Sequence, residues 1–599
     1  MQGSEDTLSL ACSEAGGLLA MIQFLLEAAL NRFILSTLFC WVAALVLLKW
    51  VGHVKMKQKM ADARQQRDHG LDAMGKAVKQ FKNEHPDQEI ESITSLPLSQ
   101  LTEKLKNGSL SPESVLYAYI EKALAVHKEL NCLTDFLPDC ETLLQEVKKQ
   151  KDKGPLYCVP ISLKDDVGYK GHDSHCGLVH FLGKPGPEDS VIVQVLKKQG
   201  AIPFVKTNLP QSMINFDCSN SIFGQTLNPR NHKKTPGGSS GGEAALIAAE
   251  GSVLGVGSDV LGSIRMPCSF CGICGFKPTG YRLSTSGFET PVQGMKTAVS
   301  MSGPMARDVD SLVLFMKALL CEDMFHLDPT VPPVPFNDEV YSSKRPLRIG
   351  YYDADGYFLP TPSARRAVQD TKALLEGAGH ELIIFNPPRT EYAINELCIR
   401  GFFADGGSTL TEKFDVDIID PHLQQQMTFW KLPTLAKRMM SFFMKPMYPR
   451  IANHMNAHCG VGSVKEFWKH NTAVKEYTKE YTKEWKKLNL DVLLCPMLGP
   501  AFNVGTPGKL FAGFSFTMLF NILNFPTGVM PVTTVTAEDE EELKQYKGYF
   551  DDPWDKEVIK GVEGGVGLPV GVQCVALPWQ EELCLRLMKE VEKVTRRQK

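Results

Sequence analysis

Hydrophobic positions in this chain fall into three patterns, each predicting a different element. The longest near-continuous apolar run is 33–51, from Phe33 to Val51. Its length is close to the roughly 20 residues that cross a bilayer as a helix. A second run, 17–30, carries Glu27 and reads as a surface helix or a disordered lead-in. Further on, short apolar strands alternate with helix-period segments. Ser190 can cap a helix bearing Val191, Val195 and Leu196 that stops near Gly200, ahead of a strand at 201–206. A strand at 347–352 precedes a helix from Ser363 to about Glu376, and Gly377 and Gly379 separate that helix from a strand at 381–385. A charged helix from about Val464 to Lys487 leads into a strand at 491–494. The alternation predicts an α/β fold, a mixed and largely buried β-sheet covered by helices.

The third pattern occupies 423–455. Met427, Phe429, Trp430, Leu435, Met439, Phe442, Phe443 and Met447 are interleaved there with Lys431, Lys437, Arg438, Lys445 and Arg450, and Pro433 and Pro446 divide the segment. Apolar and aromatic side chains with basic neighbours predict an interfacial, membrane-facing cap, against the alternative of core helices with a solvated face.

Charge around the first run sets an orientation. Lys49 and Trp50 sit where a snorkelling cation and an interfacial ring belong. Lys55, Lys57, Lys59, Arg64 and Arg67 follow, whereas Glu5, Asp6, Glu14 and Glu27 against Arg32 precede. The positive-inside bias places the C-terminal body in the cytosol. A cleaved signal peptide would need a basic leader, and this one is acidic. The expected organisation is a lumenal segment at 1–32, a single transmembrane helix at 33–51, a basic linker or helix at 52–89 and one domain at 90–599, which no low-complexity stretch divides. A net charge of -3 at pH 7, with no basic stripe outside the membrane flank, argues against a nucleic-acid partner. The 16 cysteines are scattered and read as reduced, buried small hydrophobes. Cys268, Cys271 and Cys274 lack a suitably spaced fourth ligand, so packing is expected there rather than a metal or iron–sulfur site.

Candidate chemistry concentrates in Gly237-Gly238-Ser239-Ser240-Gly241-Gly242 and in Gly257-Ser258-Asp259-Val260-Leu261-Gly262-Ser263-Ile264-Arg265-Met266-Pro267. A short apolar helix, 244–249, and one strand lie between them, a spacing that returns the second loop towards the first. Two hydroxyls and several backbone N–H groups can then converge, as carbonyl attack requires. A base is available in Lys164, at the end of the apolar strand Pro160-Ile161-Ser162-Leu163-Lys164. Burial disfavours the charged form of a lysine and makes a neutral base of it.

On these motifs the chain resembles the amidase signature family over roughly 90–599. The resemblance implies a large central sheet wrapped in helices and a Lys-Ser-Ser catalytic unit. It assigns Ser263 as nucleophile, Ser239 as the bridging serine on a cis peptide after Gly238, and Lys164 as general base. The oxyanion would be held by backbone N–H groups of Val260, Leu261, Gly262 and Ser263, with Asp259 and Arg265 fixing the loop. Family members carry Gly or Ala where this chain has Leu261, which would be strained by about 1–2 kcal/mol if the position needed a positive φ. A catalytically weakened scaffold or lipid-binding protein is the alternative that Leu261 raises. Further segments, such as Gly303-Pro304-Met305-Ala306-Arg307-Asp308-Val309, resemble membrane-anchored members acting on long-chain fatty acyl amides. That likeness implies a lipid amide substrate, contact with membrane lipids, a homodimer, no metal or organic cofactor, and residence in an endomembrane of the endoplasmic reticulum or Golgi.

Overall fold

The computed structural model describes residues 5–86 and 91–596, with side chains from Gly17 onward except those of Leu18 and Glu91. The outer ends of the expected lumenal segment, basic linker and catalytic domain (1–4, 87–90 and 597–599) lie outside the described residues, as do the side chains of Glu5, Asp6 and Glu14. The chain forms two compact units, 1–59 and 60–599.

The first unit belongs to one helix, α1 (Glu5–Glu84). Among the described residues it is the one helix long and apolar enough to cross a membrane. Large apolar side chains from Leu19 to Val54 are exposed, Phe39 at 74% and Trp41 at 69%, an arrangement that water does not support. The run 17–30 is therefore not a separate surface helix. Asn31 and Arg32 tolerate helical backbone, so the two apolar runs are continuous.

In the second unit α1 is no free linker. Met60, Met74, Val78 and Phe81 are buried, and Phe81 stacks on Tyr117 with ring centroids 4.4 Å apart. Arg64, expected at the membrane flank, donates from Nη2 to Ser221 O at 2.9 Å.

Eleven strands form one sheet. The first six are β1 (Leu133–Phe136), β2 (Pro160–Lys164), β3 (Ile202–Thr207), β4 (Leu254–Asp259), β5 (Cys274–Lys277) and β6 (Met301–Ala306). The others are β7 (Arg348–Tyr351), β8 (Glu381–Ile384), β9 (Val492–Pro496), β10 (Thr527–Thr534) and β11 (Pro569–Val575). Their order is β1-β3-β2-β4-β6-β5-β10-β11-β9-β7-β8. The sheet is mixed: β2 runs parallel to β3 and β4, whereas β4 and β6 are antiparallel. Every residue of β2, β4 and β11 is buried, which is why these strands read as continuous apolar or small-residue runs. The helix expected after Ser190 spans Val191–Lys198, though Ser190 makes no side-chain capping bond.

Two short helices flank the serine loops: α2 (Gly241–Ala248) and α3 (Arg265–Cys271). Cys268, Cys271 and Cys274 are buried at the end of α3 and the start of β5, packed as small hydrophobes. The segment 423–455 is less uniformly exposed than its composition suggests. Leu423, Met427, Trp430, Ile451 and Met455 are buried, and Trp430 packs against Phe403 with centroids 5.2 Å apart. Lys437 and Arg450 also point inward, Lys437 to Gly406 O at 3.1 Å and Arg450 to Asp552. The exposed apolar face is narrower: Leu435, Met439, Met440, Phe442 and Phe443 on α4 (Thr434–Met444), with Met447 beyond it.

Candidate active site

Strand register brings Lys164 to the serine loops. Parallel pairing sets Ser162 opposite Gly255 and Leu163 opposite Val256, so Lys164 at the end of β2 meets the end of β4. Lys164 is fully buried. Its Nζ donates to Ser239 Oγ and to Ser258 Oγ, each at 2.7 Å, and lies 3.9 Å from Asp166 Oδ2. Ser258 Oγ in turn donates to Asp166 Oδ2. Burial pushes the Lys164 amine below its ordinary value, and the opposing pull of Asp166 does not restore it. Burial likewise raises the Asp166 carboxyl against the pull of Lys164 and Ser258. Both shifts favour an uncharged pair, so the amine is disposed to accept a proton.

Ser239 follows the cis peptide Gly238–Ser239. A Cβ at Gly238 would stand 2.5 Å from Asn215 O, so the loop packs backbone to backbone there. The two serine loops are tied directly: Ser240 N donates to Ser263 O at 3.0 Å. Ser239, Ser258 and Ser263 line one cavity of about 180 Å³, together with Asp166, Glu289 and apolar residues including Ile214, Met295 and Phe402. Among the described residues no hydrogen bond joins Ser239 Oγ to Ser263 Oγ, and the bonded chain from Lys164 ends at Ser239.

The loop before Ser263 hangs on one carboxylate. Asp259 accepts the N–H groups of Gly262 at 2.8 Å and Ile264 at 3.1 Å. Arg265 grips it through Nε at 3.1 Å and Nη2 at 3.0 Å, and Asn521 Nδ2 adds a bond at 2.9 Å. Arg265 also donates to Thr517 O and Gln573 Oε1. Burial alone would raise the Asp259 carboxyl, but the Arg265 guanidinium holds it well below the ordinary range. The bond to Asp259 corrects the expected oxyanion set, because the Gly262 N–H is already engaged. The N–H groups of Val260, Leu261 and Ser263 have no partner among the described residues.

Leu261 is not strained in the way its sequence position suggests. The positive φ of this loop, 127°, falls on Gly262, and Leu261 is not among the residues with positive φ. Glycine is required at 262 sterically too, since a Cβ would stand 2.3 Å from Thr517 Oγ1. The Leu261 side chain is 3% exposed and packs in the core, while Thr517 Oγ1 donates to Leu261 O at 2.8 Å.

Several residues here escaped sequence reasoning. Ser258 stood inside a motif without an assigned role, and Asp166 lay just past the strand that ends at Lys164; an i, i+2 relation to Lys164 was the available signal for Asp166. Thr517, Asn521 and Gln573 lie too far along the chain for any local pattern. Ser212 and Met213, also lining the cavity, have φ of 60° and 59°, a left-handed pair that costs non-glycine residues on the order of 1–2 kcal/mol each.

Comparison with known proteins supplies the context. The Amidase family profile matches residues 114–585. The chain is 51% identical over 556 residues to Fatty-acid amide hydrolase 1 of Sus scrofa, covering 93% of this chain and 95% of that protein. It is 60% identical over 442 residues to the Vitamin D3 hydroxylase-associated protein of Gallus gallus, covering 74% and 95%. A solved fatty acid amide hydrolase superposes with a TM-score of 0.75 at 26% identity, covering 90% of this chain and 95% of the other.

Proposed function

The chain belongs to the amidase family, and from that premise we propose that it hydrolyses long-chain fatty acyl amides through Lys164, Ser239 and Ser263. The observation that carries this reading is the buried Lys164 Nζ, 2.7 Å from Ser239 Oγ, in a cavity that Ser239 shares with Ser263. The 51% identity to a fatty-acid amide hydrolase supports the substrate class.

The chemistry runs as a relay. Neutral Lys164 takes the proton of Ser239, Ser239 takes that of Ser263, and Ser263 Oγ bonds to the carbonyl carbon. The oxyanion is stabilised by the unpartnered N–H groups of Val260, Leu261 and Ser263. On collapse the proton returns from Lys164 through Ser239 to the leaving nitrogen. An amine or ammonia departs, and Ser263 keeps the acyl group. Water, deprotonated by the same relay, then releases the fatty acid. Asp259 and Arg265 position the loop and touch no reacting atom. The cavity volume of about 180 Å³ is below the roughly 300–1,000 Å³ of most small-molecule sites. A long acyl chain therefore needs the wall at Val292, Met295 and Phe402 to shift.

The same proposal places the protein in a membrane. The exposed apolar side chains of α1 form the single span, the basic flank puts the catalytic body in the cytosol, and the face at Leu435, Phe442, Phe443 and Met447 docks on the endomembrane surface. A homodimer, implied by the sequence resemblance, is part of the same proposal.

The test is hydrolysis of oleamide by detergent-solubilised protein, with Ser263→Ala as control. Turnover that vanishes in the variant supports the reading. Equal rates in a folded variant reject it.

A further inference from the structure

The acidic side chains lining the catalytic cavity are those of Asp166 and Glu289, and no lysine, arginine or histidine is among the lining residues. Lys164 stands behind Ser239 and Ser258, fully buried. Glu289 is fixed to this end of the site by its backbone. Its N–H donates to Asp166 O at 2.9 Å, and the adjacent Phe288 bridges to Val167. The Glu289 carboxylate accepts the N–H of Thr290 at 3.2 Å, and no lysine, arginine or histidine lies within ion-pair distance of it among the described residues.

Position within the relay says which part of a substrate meets this carboxylate. The leaving nitrogen must receive its proton from Ser239, so the amine portion lies on the Lys164–Asp166 side. The acyl portion falls to the apolar wall of Ile214, Val292, Met295 and Phe402. Resting on the amide-hydrolase reading above, we infer that Glu289 is a specificity-determining residue that reads the charge of the leaving amine. Neutral or cationic amine portions are accepted, and anionic ones, as in N-acyl amino acids, are rejected. The physical ground is like-charge repulsion at short range from the half-buried Glu289. The polar remainder of that wall, Thr285 and Thr290, offers hydroxyls and no countercharge.

The experiment compares kcat/KM for N-oleoylethanolamine and N-oleoylglycine, which share an acyl chain and differ in the charge of the amine portion. Full-length protein in detergent is used, as wild type, Glu289→Asp, Glu289→Gln and Glu289→Lys. Wild type is expected to prefer the neutral substrate by about tenfold or more. Glu289→Asp keeps that preference, Glu289→Gln brings the ratio severalfold closer to one, and Glu289→Lys inverts it. The ratio is the readout, because a merely structural role would lower both values together. Equal treatment of the two substrates by wild type, or a ratio unmoved in Glu289→Lys, overturns the assignment while leaving amide hydrolysis intact. Failure of wild type to hydrolyse either substrate would remove the amide-hydrolase reading and this inference with it.

Discussion

If Lys164 is the base of the proposed relay, it links catalysis to stability, and the link can be measured with one substitution, Lys164→Met. Burial holds the folded-state amine below its ordinary value, whereas in the unfolded chain it titrates near ~10.4. Between those two values the unfolded chain binds one proton more than the fold, so stability rises with pH by up to ~1.4 kcal/mol per unit. The sign is fixed: the penalty is complete below the folded value and gone above the unfolded one. For the unit 60–599, an unfolding entropy of ~2.1 cal/mol/K per residue makes 1 kcal/mol worth about 1 °C. Two pH units inside the window then correspond to roughly 3 kcal/mol, or about 3 °C. Methionine removes the titration, and the hydrogen bonds it forfeits, about 1 kcal/mol each, form an offset independent of pH above the window of Asp166. Loss of the amine also leaves Asp166 without its cation, which adds to the difference in the same direction. Melting temperatures in detergent from pH 6.5 to 10 should therefore show wild type gaining on the variant as pH rises. The acid limb of the wild-type kcat/KM profile should fall where that gain begins, at the folded-state value of Lys164. A flat difference, or wild type losing ground, would mean that Lys164 is an ordinary charged lysine and not the base.

Other substitutions probe the remaining parts. Gly262→Ala places a methyl 2.3 Å from Thr517 Oγ1 and should lower kcat/KM by about 10²-fold through displacement of the loop; an unchanged value in a folded variant would show that the loop is not held as described. Leu261→Ala should cost ~2–5 kcal/mol in thermal or urea unfolding, with fluorophosphonate labelling of Ser263 retained; a large gain in labelling rate would favour the catalytically weakened reading that Leu261 raises. Combined Leu435→Ser, Phe442→Ser and Phe443→Ser should reduce hydrolysis of vesicle-borne oleamide about tenfold or more and spare a water-soluble short-chain amide. Equal loss on both substrates would argue against membrane docking of that face.

The sheet was legible because its central strands β2, β4 and β11 are buried on both faces and its helices carry a clean helical period. The charged helix was placed at 464–487 and is observed at Val464–Lys487. The residues that converge at the site were legible for a different reason: glycine-flanked serines and a strand-end lysine are rare as structural filler. Sequence patterning failed where it depends on which side of a helix faces inward across a tertiary contact. Trp430, Lys437 and Arg450 looked like lipid-facing or headgroup-facing side chains, yet Phe403, Gly406 and Asp552 receive them. The oxyanion loop failed similarly, since nothing local says that Asp259 takes the Gly262 N–H. The charge of the cavity was beyond reach because Glu289 arrives from a segment with no motif of its own.

The clamp on Asp259 has a consequence for synthesis. Its partners Asn521 and, through Arg265, Gln573 are separated from these two residues by 262 and 308 positions. At roughly 5–20 residues per second, a ribosome needs on the order of 15–60 s to deliver them after the serine loops have emerged. Until then Arg265 and Asp259 lack their outer bonds, and the loop carrying Ser263 has only its local ties within 259–265. On the proposed relay, hydrolytic competence is therefore expected late, near chain completion. On the proposed membrane anchoring and relay, a nascent chain already inserted into a bilayer would carry no working nucleophile, and fragments ending before Gln573 should be inert as well as unstable.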